Sequence, residues 1–421
     1  MVNDGHFRFF LNFFPRLSLN RILLLLSNLY NFIYFILSNL SILNLSFRYC
    51  LTATPDDWST DLRINFINGF KSFVEFMKFM HGMDSLTRQT QTHIEYEPEW
   101  ETSFNLLIKL QKSISALIEW CSSDRSVYLE CYKYLLHTIQ QVETTETQFK
   151  YNYAKKHLVI DSTSYQYEII DYSIMKQEVS IHATLTRLFS AVFMHMEKFD
   201  LNFNSIFNEI YPGKQDASSK QKMIALLEPS IRALVLVSQT NAGLWKRNGF
   251  SLLSQVYFYS NIKCRHEMFD RDILCLQMGA SVMDPNEFLV NLLVHYSLYD
   301  YFMDEKFDLE TGATTSDSKS DTELKQPEHF IPISEDFLEL LIHILSERYD
   351  SKISKVEQNK RLEREVIHQL CVSPMAHSDL VKNIYPDNEK YTSDLEAVLN
   401  RIAFFKTSAP TSNAKGNADF I

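Results

Sequence analysis

The sequence predicts a mostly α-helical protein, and two observations lead to that prediction. Glycine and proline are scarce, at nine and eleven of 421 residues, so few positions break a helix. Apolar residues recur in steps of three and four along several stretches, which is the period of a helix with one buried face. We therefore expect a multi-helix scaffold with a small β insertion and a C-terminal winged-helix-like module.

Residues 1–57 are expected to form an apolar extension outside the scaffold. Residues 22–45 carry no charge over a length that can span a bilayer, yet four asparagines interrupt them. Three interpretations stay open: a membrane anchor, a buried or interfacial helix, and a non-native extension of low-complexity composition. The helical core is expected to begin near Trp58, so the residues before it should be dispensable for folding.

Residues 58–309 are expected to form the scaffold domain, which opens with three helices. The first has Ser59 or Thr60 in position to cap its start. Short connections predict that the three helices are antiparallel neighbours. Their expected ranges are 59–80, 102–121 and 126–142.

The period changes within residues 151–182, where β-branched and aromatic residues cluster, and a small hairpin is expected there. Helical spacing resumes at Leu185, and residues 211–221 predict a loop. No internal repeat with a fixed period is visible, so the sequence does not predict a repeat solenoid. Later helices are expected over 224–239, 250–260 and 286–302.

Residues 310–328 are rich in serine and threonine and almost free of large apolar side chains, which predicts a disordered linker. A second domain is expected over residues 329–406, with one helix followed by the winged-helix-like module. Residues 407–421 are again poor in apolar side chains and predict a disordered tail.

Three short helices and a wing make up the expected winged-helix-like module. Ser393 and Glu396 form a capping box that predicts the start of the third helix, and the wing should begin near Phe404. This fold can read DNA or bind proteins. The third helix offers a poor match for phosphates, which favours protein binding. Its expected exposed residues are Asp394, Glu396, Asn400 and Arg401.

The net charge of −11 disfavours a general nucleic-acid binder, which needs a basic face for phosphates. The six cysteines are scattered without a CxxC pair, which argues against a disulfide framework or a zinc finger. A reducing compartment fits this pattern. We expect the chain in the cytoplasm, with the nucleus as an alternative.

Cys264, His266 and Cys275 are the nearest approach to a metal-binding pattern. A structural zinc site needs four ligands, usually in close pairs, and this group offers one loose pair. No cysteine stands beside residues that would activate it as a nucleophile. The sequence therefore assigns no catalytic, cofactor-binding or metal-ligating residue. Cys264 and Cys275 would be the first thiols to test for a covalent relay.

Residues 93–101, HIEYEPEWE, place four glutamates around Tyr96 and Trp100. Paired carboxylates can perform acid–base chemistry when one pKa is raised. Pro98 favours extended backbone, so alternate residues share a face. A solvated acidic face with the aromatic rings packed opposite is the favoured interpretation. The glutamates are Glu95, Glu97, Glu99 and Glu101.

Basic residues interleave with aromatic ones between residues 241 and 271. This texture is typical of a nucleic-acid groove, and equally of long side chains lying on an apolar helix surface. The acidic net charge favours the second interpretation. The residues are Lys246, Arg247, Lys263, Arg265 and Arg271.

Several ordered phrases resemble the N-recognins, the family of UBR-box ubiquitin-protein ligases that read destabilising N-terminal residues. The resemblance covers roughly residues 58–406 and is densest in the long run 241–289. The shorter phrases are HIEYEPEWE (93–101), EWC (119–121), VSIH (179–182) and EREVIHQLCVSPMAHSDLVK (363–382).

The resemblance implies a large RING-type ligase of the N-degron pathway. In the family, a zinc-binding UBR box and a ClpS-like domain bind N-termini, and a RING domain recruits the ubiquitin-conjugating enzyme. The stretch matched here corresponds to the helical scaffold and winged-helix portion between those modules. The implied partners are the conjugating enzyme and N-degron substrates, with zinc held by modules other than this stretch.

We expect the chain to act as the scaffold of such a ligase, in the form of a fragment or a short form. The family's zinc ligands and degron-contacting residues have no matching positions in it, so intrinsic transferase activity is not expected. The alternative hypothesis is a non-catalytic helical adaptor that binds proteins through its winged helix. Membrane contact is expected only through residues 22–45.

Overall fold

The computed structural model describes the chain in separate stretches. These are residues 51, 53–94, 100–145, 153–160, 163–201, 218–261, 263–303, 326–346, 358–384, 389–407 and 418–420. The chain divides into two compact units, Met1–Leu345 and Ser346–Ile421. Each unit buries a hydrophobic core of its own.

Three long helices open the first unit, as predicted. They are α1 (Thr60–Met80), α2 (Glu101–Cys121) and α3 (Arg125–Thr145). The Ser59 hydroxyl accepts a hydrogen bond from the Leu62 amide at 3.2 Å, so Ser59 is the residue that caps α1. The first helix packs chiefly against α3, with its apolar face turned into the core.

The core of the first unit includes Leu51, so the prediction that it begins near Trp58 is wrong. Leu51 is buried, and its carbonyl accepts a hydrogen bond from the indole N–H of Trp120 at 3.2 Å. A buried tryptophan needs an acceptor for its indole N–H, which explains why Leu51 is held against Trp120. The rings of Trp58, Phe66 and Trp120 pack at centroid distances of 5.5–5.8 Å. Residues 22–45 lie outside the described residues.

A β-hairpin follows, where the change of period predicts it. Strands β1 (Tyr153–Ile160) and β2 (Thr163–Ile170) pair antiparallel, with Tyr153 opposite Ile170 and Ile160 opposite Thr163. Ile169 clusters with Val290, and Ile170 clusters with Ile224. The end of β2 is therefore fixed onto later parts of the first unit.

Helices α4 (Thr184–Phe193) and α5 (Ser218–Asn241) follow, and nearly all of their described side chains are buried. The loop predicted over 211–221 is wrong from residue 218 onward, because α5 begins there. Polar composition does not exclude a helix, and lysine and glutamine are good helix formers. Residues 211–217 lie outside the described residues.

Part of α5 has the length and apolar composition of a membrane span. This part is residues 223–241, and 94% of it is buried within the fold. Burial of that extent identifies it as the core helix of the first unit. Pro229 lies inside the helix without ending it.

Four helices follow α5 within residues 250–303. They are α6 (Phe250–Ser260), α7 (Phe269–Val282), α8 (Pro285–His295) and α9 (Tyr299–Met303). The predicted bounds of α6 are confirmed, but the single helix predicted over 286–302 is wrong. It is interrupted between α8 and α9, where Ser297 has a φ of +58°. Left-handed backbone cannot continue a right-handed helix.

Helix α10 (Pro327–Ser346) starts within the stretch predicted as linker. Proline is well suited to the first position of a helix, which explains a start at Pro327. The domain prediction grouped this helix with the winged-helix-like module, but its contacts lie in the first unit. His329 Nδ1 donates to the Ala242 carbonyl at 2.7 Å, and the Phe337 ring packs on Tyr296 at 5.3 Å. Residues 304–325 lie outside the described residues.

The second unit has the predicted winged-helix architecture. Its described elements are α11 (Gln358–Val372), β3 (Met375–Ala376), α12 (His377–Asn383), α13 (Glu389–Ile402), β4 (Phe405–Thr407) and β5 (Ala418–Phe420). The strands form an antiparallel sheet in the order β3-β5-β4. Apolar residues of the three helices form the core beside it, among them Val366, Leu380 and Leu399.

Two details of the second unit contradict the sequence predictions. Helix α13 begins at Glu389, so Ser393 lies inside the helix and does not cap it. A capping-box sequence is compatible with a helix interior when good helix formers precede it. Ala418–Phe420 forms the central strand of the sheet, although residues 407–421 were expected to be a disordered tail. Pairing with β3 and β4 supplies the hydrogen bonds that this short strand needs.

Candidate functional site

The interior of the first unit contains ionisable side chains as well as apolar ones. We call one group of them the charged core and define it by five buried residues. They are Arg187 of α4, Glu228 and Arg232 of α5, Asp272 of α7 and His295 of α8. A buried charge costs several kcal/mol unless a partner compensates it, so the pairing of these groups determines what they do.

The Asp272 carboxylate joins four helices. Arg187 donates to it from Nε at 3.0 Å and from Nη2 at 2.7 Å, which is a bidentate ion pair. The hydroxyls of Ser230 on α5 and Tyr259 on α6 each donate at 2.8 Å. Burial alone would lower the pKa of Arg187, but the Asp272 charge outweighs this effect and raises it.

The Glu228 carboxylate joins α5 to α8. Arg232 Nε donates to it at 2.6 Å, one helical turn further along α5. His295 contacts the same carboxylate through Nε2 at 2.9–3.0 Å, while its Nδ1 donates to the Asn291 carbonyl at 2.8 Å. Burial would lower the pKa of His295, but Glu228 outweighs it and raises that pKa. The pKa of Glu228 is lowered in turn, because its two cationic neighbours outweigh its burial.

Both carboxylates are shielded from solvent, with no exposed side-chain surface on Asp272 or Glu228. Their donors are protein groups already in place, so neither is positioned to take a proton from a substrate. The arrangement can instead fix the relative positions of helices α4 to α8. Breaking one buried pair leaves an uncompensated charge, so such links hold the helices in a single arrangement.

Two buried histidines beside this core are held neutral. Burial, with a smaller contribution from Arg187, lowers the pKa of His81 and of His182 to about 3. His81 Nδ1 accepts a hydrogen bond from the Leu185 amide at 3.3 Å, as a neutral imidazole can. The contact of His182 Nε2 with Asp84 at 3.7 Å is consequently not an ion pair at neutral pH.

The structure does not bring Cys264, His266 and Cys275 together as a ligand set. His266 Nδ1 lies 2.9 Å from a carboxylate oxygen of Glu267, and the Cys275 thiol lies 3.7 Å from the Leu226 carbonyl. Burial raises the pKa of Cys264 to about 11 and that of Cys275 to about 12. Within the described stretches, no group of three or more His, Cys, Asp or Glu side chains is placed to hold a metal ion.

Three of the basic residues that interleave with aromatic ones are engaged with other groups of the chain. Arg247 Nη1 donates to the Gln91 carbonyl at 2.9 Å. Arg265 pairs with Asp270 at 3.2 Å and lies over the Phe269 ring. A third contact joins Arg271 to Glu267 at 3.5 Å. Lys246 is exposed at the turn before α6, and Lys263 is exposed after that helix. These contacts fit long side chains that cover a helical surface better than they fit a groove for phosphates.

The acidic motif is described only at its two ends, since residues 95–99 lie outside the described residues. The Ile94 amide donates to the Arg247 carbonyl at 3.1 Å. The Trp100 ring packs on Phe104 at 5.8 Å and on Phe258 at 5.4 Å. The expected packing of Trp100 is therefore confirmed, and that of Tyr96 stays a prediction.

Residues of α13 that were expected to be exposed are placed on the surface of the second unit. Glu396, Asn400 and Arg401 are exposed, and Arg401 Nη2 donates to Glu363 of α11 at 2.6 Å. The side chain of Asp394 lies outside the described residues. This pairing of Arg401 removes part of the positive charge that a DNA-reading helix would present.

Two cavities adjoin the charged core, and both are small. One is lined by Met77, Thr184, Arg187 and Glu267, and another by His182, Pro229 and Arg232. Each has room for about one water molecule, far less than a small-molecule ligand requires.

Sequence reasoning missed the charged core altogether. Its local signal was present, because Arg187 interrupts the apolar run TLTRLFSAVF and Glu228 interrupts IALLEPSIRALVLV. A charged residue inside an apolar helix indicates a buried ion pair or a functional site. The partner residues could not be identified, since Arg187 and Asp272 lie 85 positions apart.

Comparison with known proteins matches both units to one group of ligases. The UBR1/2/3-like ARM repeat domain matches residues 64–315, and the winged-helix domain of the E3 ubiquitin-protein ligase UBR1-like type matches residues 361–417. The ARM repeat match goes beyond the sequence analysis, in which no internal repeat with a fixed period was visible.

Curated relatives are similar over most of this chain. It is 37% identical over 362 residues to the E3 ubiquitin-protein ligase UBR2 of Homo sapiens. The aligned stretch covers 86% of this chain and 20% of that protein. It is 37% identical over 361 residues to UBR1 of Drosophila melanogaster and 34% identical over 359 residues to UBR1 of Homo sapiens, covering 85% of this chain and 19% of each relative. The chain thus spans about a fifth of the length of these relatives.

Proposed function

This chain belongs to the family of UBR1- and UBR2-like E3 ubiquitin-protein ligases, and we propose that it forms the scaffold of such a ligase. The substrates we propose carry destabilising N-terminal residues, and the partner is a ubiquitin-conjugating enzyme recruited by a RING domain. In this proposal the UBR box and the RING hold the zinc. The proposed compartment is the cytoplasm.

The observation that carries this proposal is the charged core. Ubiquitin transfer by a ligase of this type depends on holding a ubiquitin-loaded conjugating enzyme and a substrate in reactive geometry, which is catalysis by positioning. A scaffold for that purpose must keep its helices in one arrangement. The carboxylates of Asp272 and Glu228 join α4 to α8 in that way, at a cost in desolvation that an all-apolar core would avoid.

The cysteines support positioning over covalent relay. A relay needs a thiolate near neutral pH, whereas burial raises the pKa values of Cys264, Cys275 and Cys131. Cys371 is exposed on α11, but its neighbours do not form a nucleophilic pair with it among the described contacts.

The test is to incubate the full chain with activating enzyme, conjugating enzyme, ubiquitin and an N-degron substrate. We expect substrate ubiquitination at the level of the reaction without ligase, and no binding to free destabilising N-terminal peptides. Ubiquitination above that level, lost in Cys264→Ser or Cys275→Ser, would overturn the proposal and indicate a cysteine relay. Peptide binding would overturn it in a different way, by placing degron recognition in the scaffold itself.

A further inference from the structure

Helix α10 has large apolar residues on two opposite faces. Its inner face packs into the first unit through Ile333, Phe337, Leu340 and Ile344, all buried. Its outer face carries four exposed aliphatic side chains. They are Ile331 (48% exposed), Leu338 (51%), Ile342 (61%) and Leu345 (70%). Helices that are apolar on both sides are usually covered on both sides.

The exposed aliphatic residues follow a heptad. Together with Glu335 they occupy positions 331, 335, 338, 342 and 345, in steps of four and three. This is the spacing of the contact line in a coiled coil, where such positions insert between residues of a facing helix. We call these five residues the α10 seam. Its spacing fits a helix as the partner better than a strand or a loop.

One edge of the seam is acidic. Glu328, Glu335 and Glu339 are exposed and lie along one side of α10 at helical spacing. Glu335 also takes a core position of the heptad, where a facing helix would enclose it. An enclosed carboxylate needs a positive partner, so the facing helix should carry lysine or arginine at that level.

A second copy of the chain does not meet this need. In a parallel pairing in register, Glu335 of each copy would face Glu335 of the other, which places like charges together. The heptad has two kinds of core position, one held by residues 331, 338 and 345 and the other by residues 335 and 342. In an antiparallel pairing, each kind faces the other kind on the second helix. Glu335 would then face Ile331, Leu338 or Leu345, and its charge would be enclosed without a partner.

We propose that the α10 seam is a docking site for an amphipathic helix of another protein or domain, with an aliphatic heptad and a lysine or arginine facing Glu335. The seam lies at the surface of the first unit, whereas the residues of the charged core are buried. Its occupation does not depend on ligase activity, so the proposal goes beyond the scaffold function. Failure of ubiquitin transfer would leave it standing.

The test uses the full chain and two synthetic helical peptides of about three heptads, identical except for a central core position that holds lysine in one and glutamate in the other. Fluorescence anisotropy measures their binding. We expect the lysine peptide to bind at least about fivefold more tightly than the glutamate peptide. In Glu335→Lys, the order of the two peptides should reverse.

A matched pair of variants tests the location. Leu338→Asp should weaken binding of the lysine peptide at least about tenfold, because it removes an aliphatic contact from the centre of the seam. Leu253→Asp on α6 changes a leucine of equal exposure, 52%, and should leave binding unchanged. Tryptophan fluorescence of both variants checks that the first unit stays folded.

Three results would overturn the proposal. They are equal binding of the two peptides, no reversal in Glu335→Lys, and equal losses in the two leucine variants. Sedimentation of the chain supplies a further test. A dimer that Leu338→Asp dissociates would make a second copy the occupant, contrary to the charge argument.

Discussion

Asp272→Asn is the substitution that most directly perturbs the charged core. It keeps the size and shape of the side chain but removes its charge and half of its accepting capacity. The carboxylate receives four hydrogen bonds, two from Arg187 and one each from Ser230 and Tyr259. After the change, the Arg187 guanidinium is buried beside a neutral amide whose N–H groups point at other donors.

The expected cost follows from burial. Removing one partner of a buried ion pair costs about 3–5 kcal/mol, since the remaining charge stays desolvated. Asp270→Asn is a matched control in the same first turn of α7. Asp270 is 11% exposed and pairs at 3.2 Å with Arg265, whose side chain is 37% exposed. Because the guanidinium reaches solvent, we expect this pair to contribute about 1 kcal/mol, less than a fully buried pair. Both changes also remove a negative charge that interacts favourably with the positive end of the α7 helix dipole. That loss, about 0.3–1 kcal/mol, is common to the two variants and cancels in their comparison.

Urea unfolding followed by tryptophan fluorescence measures the difference in the first unit alone. All four tryptophans, Trp58, Trp100, Trp120 and Trp245, belong to it. With a urea dependence of about 3 kcal/mol per molar, Asp272→Asn should lower the midpoint by about 1 M or more. Asp270→Asn should lower it by less than about 0.5 M. Equal shifts in the two variants would refute the assigned role of the charged core.

Two further predictions concern the first unit, and a third concerns the whole chain. Tyr259→Phe should destabilise the first unit by about 1–2 kcal/mol in the urea assay, because Asp272 loses a buried hydrogen-bond donor. The control Tyr257→Phe, at an exposed position, should change the free energy of unfolding by less than about 0.5 kcal/mol. Below pH 6.5 the free energy of unfolding should fall by up to about 1.4 kcal/mol per pH unit for each of His81 and His182. In the unfolded chain both imidazoles become protonated there, whereas in the folded chain both stay neutral down to about pH 3. A urea midpoint equal at pH 6.5 and pH 5 would contradict this. His295 acts in the opposite direction, because its pKa is raised in the folded chain. The stability that it adds is complete below pH 6.5 and is lost only as the pH rises through its folded-state pKa, so it does not offset that fall. Elemental analysis of the purified chain should find far less than one zinc per molecule, since the cysteines and histidines lack four-ligand spacing, and one tightly held zinc per chain would contradict it.

Helices with one apolar face could be predicted from the sequence because their signal is local. The bounds of α6 and the capping of α1 by Ser59 follow from periodicity and from a side chain that reaches its own helix. The hairpin was also visible, since its two strands adjoin in sequence. In each case the residues that decide the structure lie within a few positions of one another.

Features that depend on distant partners could not be predicted. The strand Ala418–Phe420 is defined by its pairing with β3 and β4, and nothing in its three residues indicates a strand. The break at Ser297 has no glycine or proline to mark it. The same limit applies to the charged core, where only the folded structure shows that Arg187 meets Asp272.

We propose that this stretch is a ligase scaffold whose geometry the charged core maintains. The decisive test is to replace the corresponding region of human UBR2 with residues 51–421 of this chain, which include Leu51 and strand β5, and to measure ubiquitination of an N-degron substrate. We expect the chimera to be active, Asp270→Asn to leave its rate unchanged, and Asp272→Asn to lower it at a temperature where the chimera remains bound to substrate. Full activity of the chimera with Asp272→Asn, or no activity of a well-folded chimera, would refute the proposed role.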